Sequence, residues 1–147
     1  MIAIGSDHGG FNIKNEIIAY FEENHISYKD FGTVSPKAVD YAPIAAKVAR
    51  AVASGEFERG ILVCGTGLGM AYVANKINGI RAACCSEHFS ARYARLHNDA
   101  NILCLGGRVV GPGTALELVN IFITTGFEGG HHAERVAQIA AVERGEL

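Results

Sequence analysis

The chain is expected to fold as a three-layer α/β/α sandwich around a five-stranded parallel sheet. Three observations point there. Short apolar runs alternate five times with longer stretches of helical period, the signature of strand–helix–strand units. The runs are apolar at consecutive positions, as in strands buried on both faces. Glycine-rich loops follow several of them, where backbone can come close to a ligand.

The elements follow in order. Ile2–Gly5 predicts a strand, and Phe11 to Asn24 a helix through Ile13, Ile17, Ile18 and Phe21. Ser27–Phe31 predicts a second strand. Pro43 is expected to open a helix that runs through Ala53 and stops at Gly55. Gly60–Cys64 is a third, fully apolar strand, followed by Gly65-Thr66-Gly67-Leu68-Gly69 and a helix over Met70–Lys76. Ile80–Cys85 predicts a fourth strand, with Ser86 as the N-cap of a helix reaching Leu96. Asn101–Leu105 is a fifth strand. Thr114–Thr124 predicts a helix ended by Gly129-Gly130, and His131–Arg144 a terminal one. No linker or repeat divides residues 1–147, so one domain is expected, in keeping with its length.

Composition narrows the function. Thirteen basic against 15 acidic residues give a formal charge of −2, with no basic excess of the kind nucleic acid attracts. No run approaches the ~20 apolar residues that cross a bilayer. The apolar start, Met1 to Ile4, is too short for a secretory core, and Cys64, Cys84, Cys85 and Cys104 form no CxxC pair. The expectation is a soluble cytoplasmic protein with reduced thiols. Glycine is in excess, 18 of 147 residues.

In parallel sheets ligands bind at the carboxyl ends of strands. The segment Cys64–Gly69 holds a thiol at such an end, before a helix start whose free N–H groups favour anions. The plain alternative is a small buried core cysteine. A dinucleotide fingerprint fails here, because Met70 stands where the third glycine should be, and no Walker A lysine follows. Asp7-His8-Gly9-Gly10 follows the first strand: Asp7 reads alone as a cap, and His8 could instead meet a sugar hydroxyl or a phosphate. His97-Asn98-Asp99 precedes the fifth strand. Turn chemistry accounts for Asn98 and Asp99 but does not require the imidazole, which could act as an acid or base. It lies at the other edge of the sheet, so it reaches a strand-end site only across a subunit interface or on a bent loop. Arg108, His131, His132 and Arg135 flank late glycines, His131 and Arg135 sharing a helical face. The paired histidines raise metal binding, but no standard ligand spacing is present, and no metal or cofactor is expected.

Together these segments resemble the ribose-5-phosphate isomerase B family, which also includes galactose-6-phosphate isomerase subunits. The matching residues are GSDHGG at Gly5–Gly10, DFGT at Asp30–Thr33, VDY at Val39–Tyr41, CGTGLG at Cys64–Gly69 and ANK at Ala74–Lys76. GIRA at Gly79–Ala82, HNDAN at His97–Asn101, GGRVVG at Gly106–Gly111 and EGGxH at Glu128–His132 continue the series. The resemblance implies a Rossmann-like five-stranded sheet and a homodimer whose two active sites are shared between subunits, which would bring His97 to a site. It leaves open whether two such dimers associate. It places the terminal helix, about 131–144, at the interface. It implies metal-free interconversion of ribose 5-phosphate and ribulose 5-phosphate in the pentose phosphate pathway, with Cys64 as base, His97 assisting ring opening and the Gly65–Gly69 loop meeting the reacting oxygens. Asp7, His8 and Asn98 match substrate-contacting positions, and Arg108 and Arg135 phosphate-site arginines.

The chemistry agrees. Moving a proton between adjacent carbons through an enediolate needs a base and donors aimed at the developing oxyanion, here the backbone N–H groups of Gly65, Gly67, Leu68 and Gly69 with the Thr66 hydroxyl. Some family members carry a glutamate base on the following helix; Met70–Lys76 contains no acid, leaving Cys64. One departure is His131, in GGHH where the family usually has an arginine. A phosphate contact through His131 would weaken as pH rises. The alternatives are an isomerase for allose 6-phosphate, galactose 6-phosphate or a tetrose phosphate, a nucleotide-dependent enzyme, and a non-catalytic ligand-binding α/β module. Cys64 and His97 together argue against the last.

Overall fold

A computed structural model describes all residues, Met1–Leu147. The five strands are β1 (Ile2–Ser6), β2 (Tyr28–Asp30), β3 (Arg59–Cys64), β4 (Ala82–Cys84) and β5 (Ile102–Gly106). The helices are α1 (Phe11–Glu23), α2 (Tyr41–Ala53), α3 (Leu68–Ala74), α4 (His88–Leu96), α5 (Pro112–Thr124) and α6 (His131–Glu143). All strand pairs are parallel, in the order β2-β1-β3-β5-β4. After β2 the chain returns to the other side of β1, so the connections leaving β1 and β3 diverge and open a crevice at their carboxyl ends.

Residue alternation explains how one sheet supports two cores. Ile2, Ile4, Ile61, Val63, Leu103 and Leu105 point to one face, against Ile17 and Phe21 of α1, Ala91 of α4 and Leu118 and Phe122 of α5. Ala3, Leu62, Cys64, Ile102 and Cys104 point to the other, against Val48 and Val52 of α2 and Met70 and Ala74 of α3. Period-two alternation with apolar residues on both faces gives the continuous apolar runs seen in sequence. Phe21 and Phe122 are wholly buried, and truncating either to alanine should cost about 3–5 kcal/mol. Lys14 is also buried. Its ammonium donates to both Asp30 carboxylate oxygens, at 2.9 and 2.8 Å, and so ties α1 to the edge strand β2.

Several boundaries differ from expectation. The edge strands are shorter, because β2 and β4 have only one strand neighbour each and little burial. Pro43 lies within the first turn of α2, which starts at Tyr41. The helix after the glycine loop begins at Leu68 and ends at Ala74. Glu87, not Ser86, caps α4, its carboxylate accepting from the Ser90 N–H at 3.0 Å. Gly129 and Gly130 do not end α5, which stops at Thr124. At φ +71° and +59° they turn the chain into α6. That last helix contributes no buried residue.

Candidate active site

The crevice at the carboxyl ends of β1, β3 and β5 is a pocket of about 370 Å³ lined by Asp7, Tyr41, Cys64, Gly65, Thr66, Gly69, Tyr72 and Arg108. That volume suits a small ligand. Cys64 is the last residue of β3 and is 5 % exposed. Its Sγ accepts a hydrogen bond from the Gly67 N–H at 3.1 Å. Gly67 has φ +81°, and a Cβ there would sit 2.9 Å from the Leu105 carbonyl carbon. Only glycine allows both the turn and that approach. The result is a thiol at the mouth of α3, among backbone amides.

Three loops converge beside it. The Gly107 N–H donates to the Cys64 carbonyl at 2.7 Å, and the Arg108 N–H to the Gly65 carbonyl at 3.0 Å. The Arg108 guanidinium passes over Gly65, with Nη1 3.1 Å from where a Cβ would be. Asp7 does what a cap does: its carboxylate accepts from the Gly9 and Gly10 N–H groups, at 2.9 and 3.2 Å, in the 3-10 turn His8–Gly10. It also lines the pocket. His8 is exposed, and its Nδ1 accepts from the Val39 N–H at 3.2 Å.

Other expected residues lie elsewhere. His97 caps the carboxyl end of α4, ahead of β5, whereas Arg108 follows that strand. The five residues of β5, ~16 Å long, therefore separate the two ends. Asn98 shares a groove of about 530 Å³ with Ile80, Ala82, Ala94, Ile139 and Val142, between the body of the fold and α6. His131 and Arg135 are exposed on α6. One chain thus gathers Asp7, Cys64, Gly65, Thr66, Gly69 and Arg108, and holds His97, Asn98, His131 and Arg135 apart from them.

His97 has close company. Its ring stacks on His132, centroids 3.9 Å apart and 13° from parallel, and meets the Tyr93 ring edge-on at 4.7 Å. Glu128 Oε2 lies 3.6 Å from His97 Nε2 and 3.5 Å from His132 Nε2. Loss of solvation, with His97 and His131 nearby, lowers the His132 pKa below the usual histidine range. Among the other thiols, burial pushes Cys85 up to about 11 and Cys104 well above its ordinary value. Both are core residues, while Cys84 is exposed.

Tyr41 and Tyr72 were not among the expected site residues. Tyr41 sits at the first turn of α2 in the VDY segment, with its ring against Gly69. Tyr72 has only its place one turn into α3 to mark it. Glu128 and His132 were missed as neighbours of His97, because that contact links segments 30 residues apart.

Comparison with known proteins places this geometry. A family model described as Ribose/Galactose Isomerase matches residues 2–139. The chain is 48% identical over 143 residues to ribose-5-phosphate isomerase B of Escherichia coli, covering 97% of this chain and 96% of that protein. It is 41% identical over 147 residues to D-erythrulose-4-phosphate isomerase of Pectobacterium atrosepticum, covering 99% and 96%. The structure of Clostridium thermocellum ribose-5-phosphate isomerase B superposes with a TM-score of 0.96 at 50% identity, covering 99% of each chain. With the strand-end thiol pocket and a match along nearly its whole length, the chain belongs to the ribose/galactose isomerase family, among the sugar-phosphate isomerases of the ribose-5-phosphate isomerase B type.

Proposed function

We propose that this aldose–ketose isomerase interconverts D-ribose 5-phosphate and D-ribulose 5-phosphate, with Cys64 as its base. The observation that carries the reading is the Cys64 Sγ at the floor of the pocket, under the Gly67 N–H, where α3 (LGMAYVA) offers no carboxylate to take its place. The Cys64 thiolate removes the proton from C2 of the open-chain aldose. Electrons flow through the C1–C2 bond onto O1 to give the enediolate. The same proton returns to C1, and the O2 proton moves to O1. Backbone N–H groups of the Gly65–Gly69 loop and the Thr66 hydroxyl stabilise the developing oxyanion. Asp7 and Arg108, on the pocket wall, hold hydroxyl and phosphate groups.

Ring opening is assigned to His97, and this requires a second copy of the chain. His97 is at the amino end of β5 and Cys64 at the carboxyl end of β3, so one chain does not unite them. A homodimer in which each pocket receives His97, Asn98, His131 and Arg135 from its partner resolves the separation. Support comes from α6, none of whose residues is fully buried in its own chain, and from the apolar groove beside it, where Ile139 and Val142 are exposed. No helix is long and apolar enough to cross a membrane, and the thiols are unpaired, in keeping with a cytoplasmic enzyme.

A shorter substrate is the second reading. His131 stands where the fixed fork of an arginine is usual, and a relative at 41% identity acts on erythrulose 4-phosphate. The test mixes purified protein with ribose 5-phosphate in EDTA and follows ribulose 5-phosphate, with Cys64→Ala alongside. Turnover in the parent and none in the variant is expected. Undiminished turnover in the variant overturns the base assignment. Faster turnover of four-carbon sugar phosphates selects the second reading.

A further inference from the structure

We propose that His97, Glu128 and His132 form a site for a divalent transition-metal ion of the zinc class, and that the bound ion switches the isomerase off by occupying His97. The inhibition rests on the function proposed above; the binding does not.

The spacing favours coordination over hydrogen bonding. Charge-assisted N–H···O bonds to a carboxylate run about 2.7–2.9 Å. Glu128 Oε2 is 3.6 and 3.5 Å from the two Nε2 atoms and hydrogen-bonds neither ring. Zinc bonds of about 2.0–2.1 Å at a tetrahedral angle place neighbouring ligand atoms ~3.3–3.5 Å apart. All three ligand atoms lie within 4.8 Å of one another; the rings are 13° from parallel, so their in-plane lone pairs converge on one ion once an imidazole turns about its Cβ–Cγ bond. Two imidazoles and one carboxylate are a zinc donor set that leaves a fourth position for water. Magnesium and calcium prefer all-oxygen shells and are not expected to compete.

The backbone builds this arrangement. The Glu128 N–H donates to the Leu96 carbonyl at 3.0 Å, which fixes Glu128 against the end of α4 next to His97. Gly129 and Gly130 then turn the chain with positive φ, and the His132 N–H donates to the Gly129 carbonyl at 3.1 Å. At the other end Arg95 is buried. It pairs with Asp99 at 2.8 Å and donates to the Ala100 carbonyl at 2.6 Å, holding the His97–Asp99 turn. In the single chain the Glu128 side chain is 50% exposed, and in the proposed dimer an ion would enter as substrate does, through the shared pocket.

Bound metal ties up the His97 nitrogen that ring opening needs, and no covalent step is involved. The test separates binding from activity. Chelator-stripped Cys64→Ala protein, whose pocket thiol cannot compete, is titrated with zinc chloride by calorimetry and with cobalt chloride by visible absorption. One ion per chain is expected, with the ligand-field bands of four-coordinate cobalt. Glu128→Gln and His132→Gln, each in that background, should weaken binding at least ~10-fold. In protein with Cys64 intact, zinc should inhibit isomerisation of ribose 5-phosphate and EDTA should restore it. Both substitutions should shift inhibition to higher zinc. No binding by the stripped protein, or equal binding by the variants, overturns the site. Binding without inhibition, or inhibition unmoved by either variant, overturns the switch. Absence of turnover on any sugar phosphate would refute the function instead and leave the binding result standing.

Discussion

The two ends of the sheet are built differently. At the carboxyl ends of β1, β3 and β5 the site is mostly backbone: Cys64 is nearly buried, and its sulfur, the Gly65 carbonyl and the Asp7 carboxylate are each held by main-chain N–H groups. At the amino end of β5 the groups are side chains: His97 and His132 stack beside Glu128, with His132 mostly buried and His97 and Glu128 open to solvent. The first end is fixed by the sheet. The second depends on where α6 lies, and no residue of α6 is fully buried in its own chain. A chemical base gains from the rigid end, where a small misplacement costs rate. A group delivered to another subunit, or captured by an ion, fits the adjustable end.

Substitutions at each end sharpen this contrast. Cys64→Ala should have the largest effect, a fall in kcat of about 10³-fold or more, near the upper range for general base catalysis, with the fold retained by circular dichroism. His97→Asn should lower kcat/KM for ribose 5-phosphate by about 10²-fold. A four-carbon aldose 4-phosphate cannot close a furanose ring, so its turnover should be largely spared. Equal losses on both substrates would remove His97 from ring opening. His131→Arg introduces a bidentate phosphate donor and should lower KM several-fold, by about 1 kcal/mol. An unchanged KM would deny position 131 a contact with the phosphate.

The smallest effect concerns stability. The folded-state pKa of His132 is lowered. Between that value and the ordinary ~6.5, the unfolded chain therefore binds more protons than the folded one. Stability from this group is full above the unfolded value and is lost as pH falls through the lowered one. Thermal melts from pH 8 to 5 should show Tm falling less steeply in His132→Gln than in the parent. Parallel curves would mean the cluster carries no such linkage.

The strand-end site was largely legible because its signals are local. Cys64-Gly65-Thr66-Gly67 is contiguous, and the positive-φ turn at Gly67 is local, although the approach to the Leu105 carbonyl that also demands glycine there is not. Tyr41 and Tyr72 escaped because a tyrosine near a helix start has no pattern of its own. The second cluster was not legible as a cluster. His97 and His132 are in contact because Glu128 is tied to Leu96 and two glycines reverse the chain, which no spacing rule encodes. The edge strands are shorter than their apolar runs because an apolar run marks burial rather than pairing: only Tyr28–Asp30 pair with β1 and only Ala82–Cys84 with β5, while Ile80 and Cys85 are buried outside the strand.

The sequence by itself determined the alternating parallel fold, the two apolar faces of each inner strand and the thiol at the end of β3. These follow from periodicities of two and 3.6 residues, which act within a few turns of chain. Tertiary structure alone decided that Glu128 and His132 join His97, and that no residue of α6 is fully buried. Those outcomes depend on contacts between segments distant along the chain, and a linear pattern carries no distance between them.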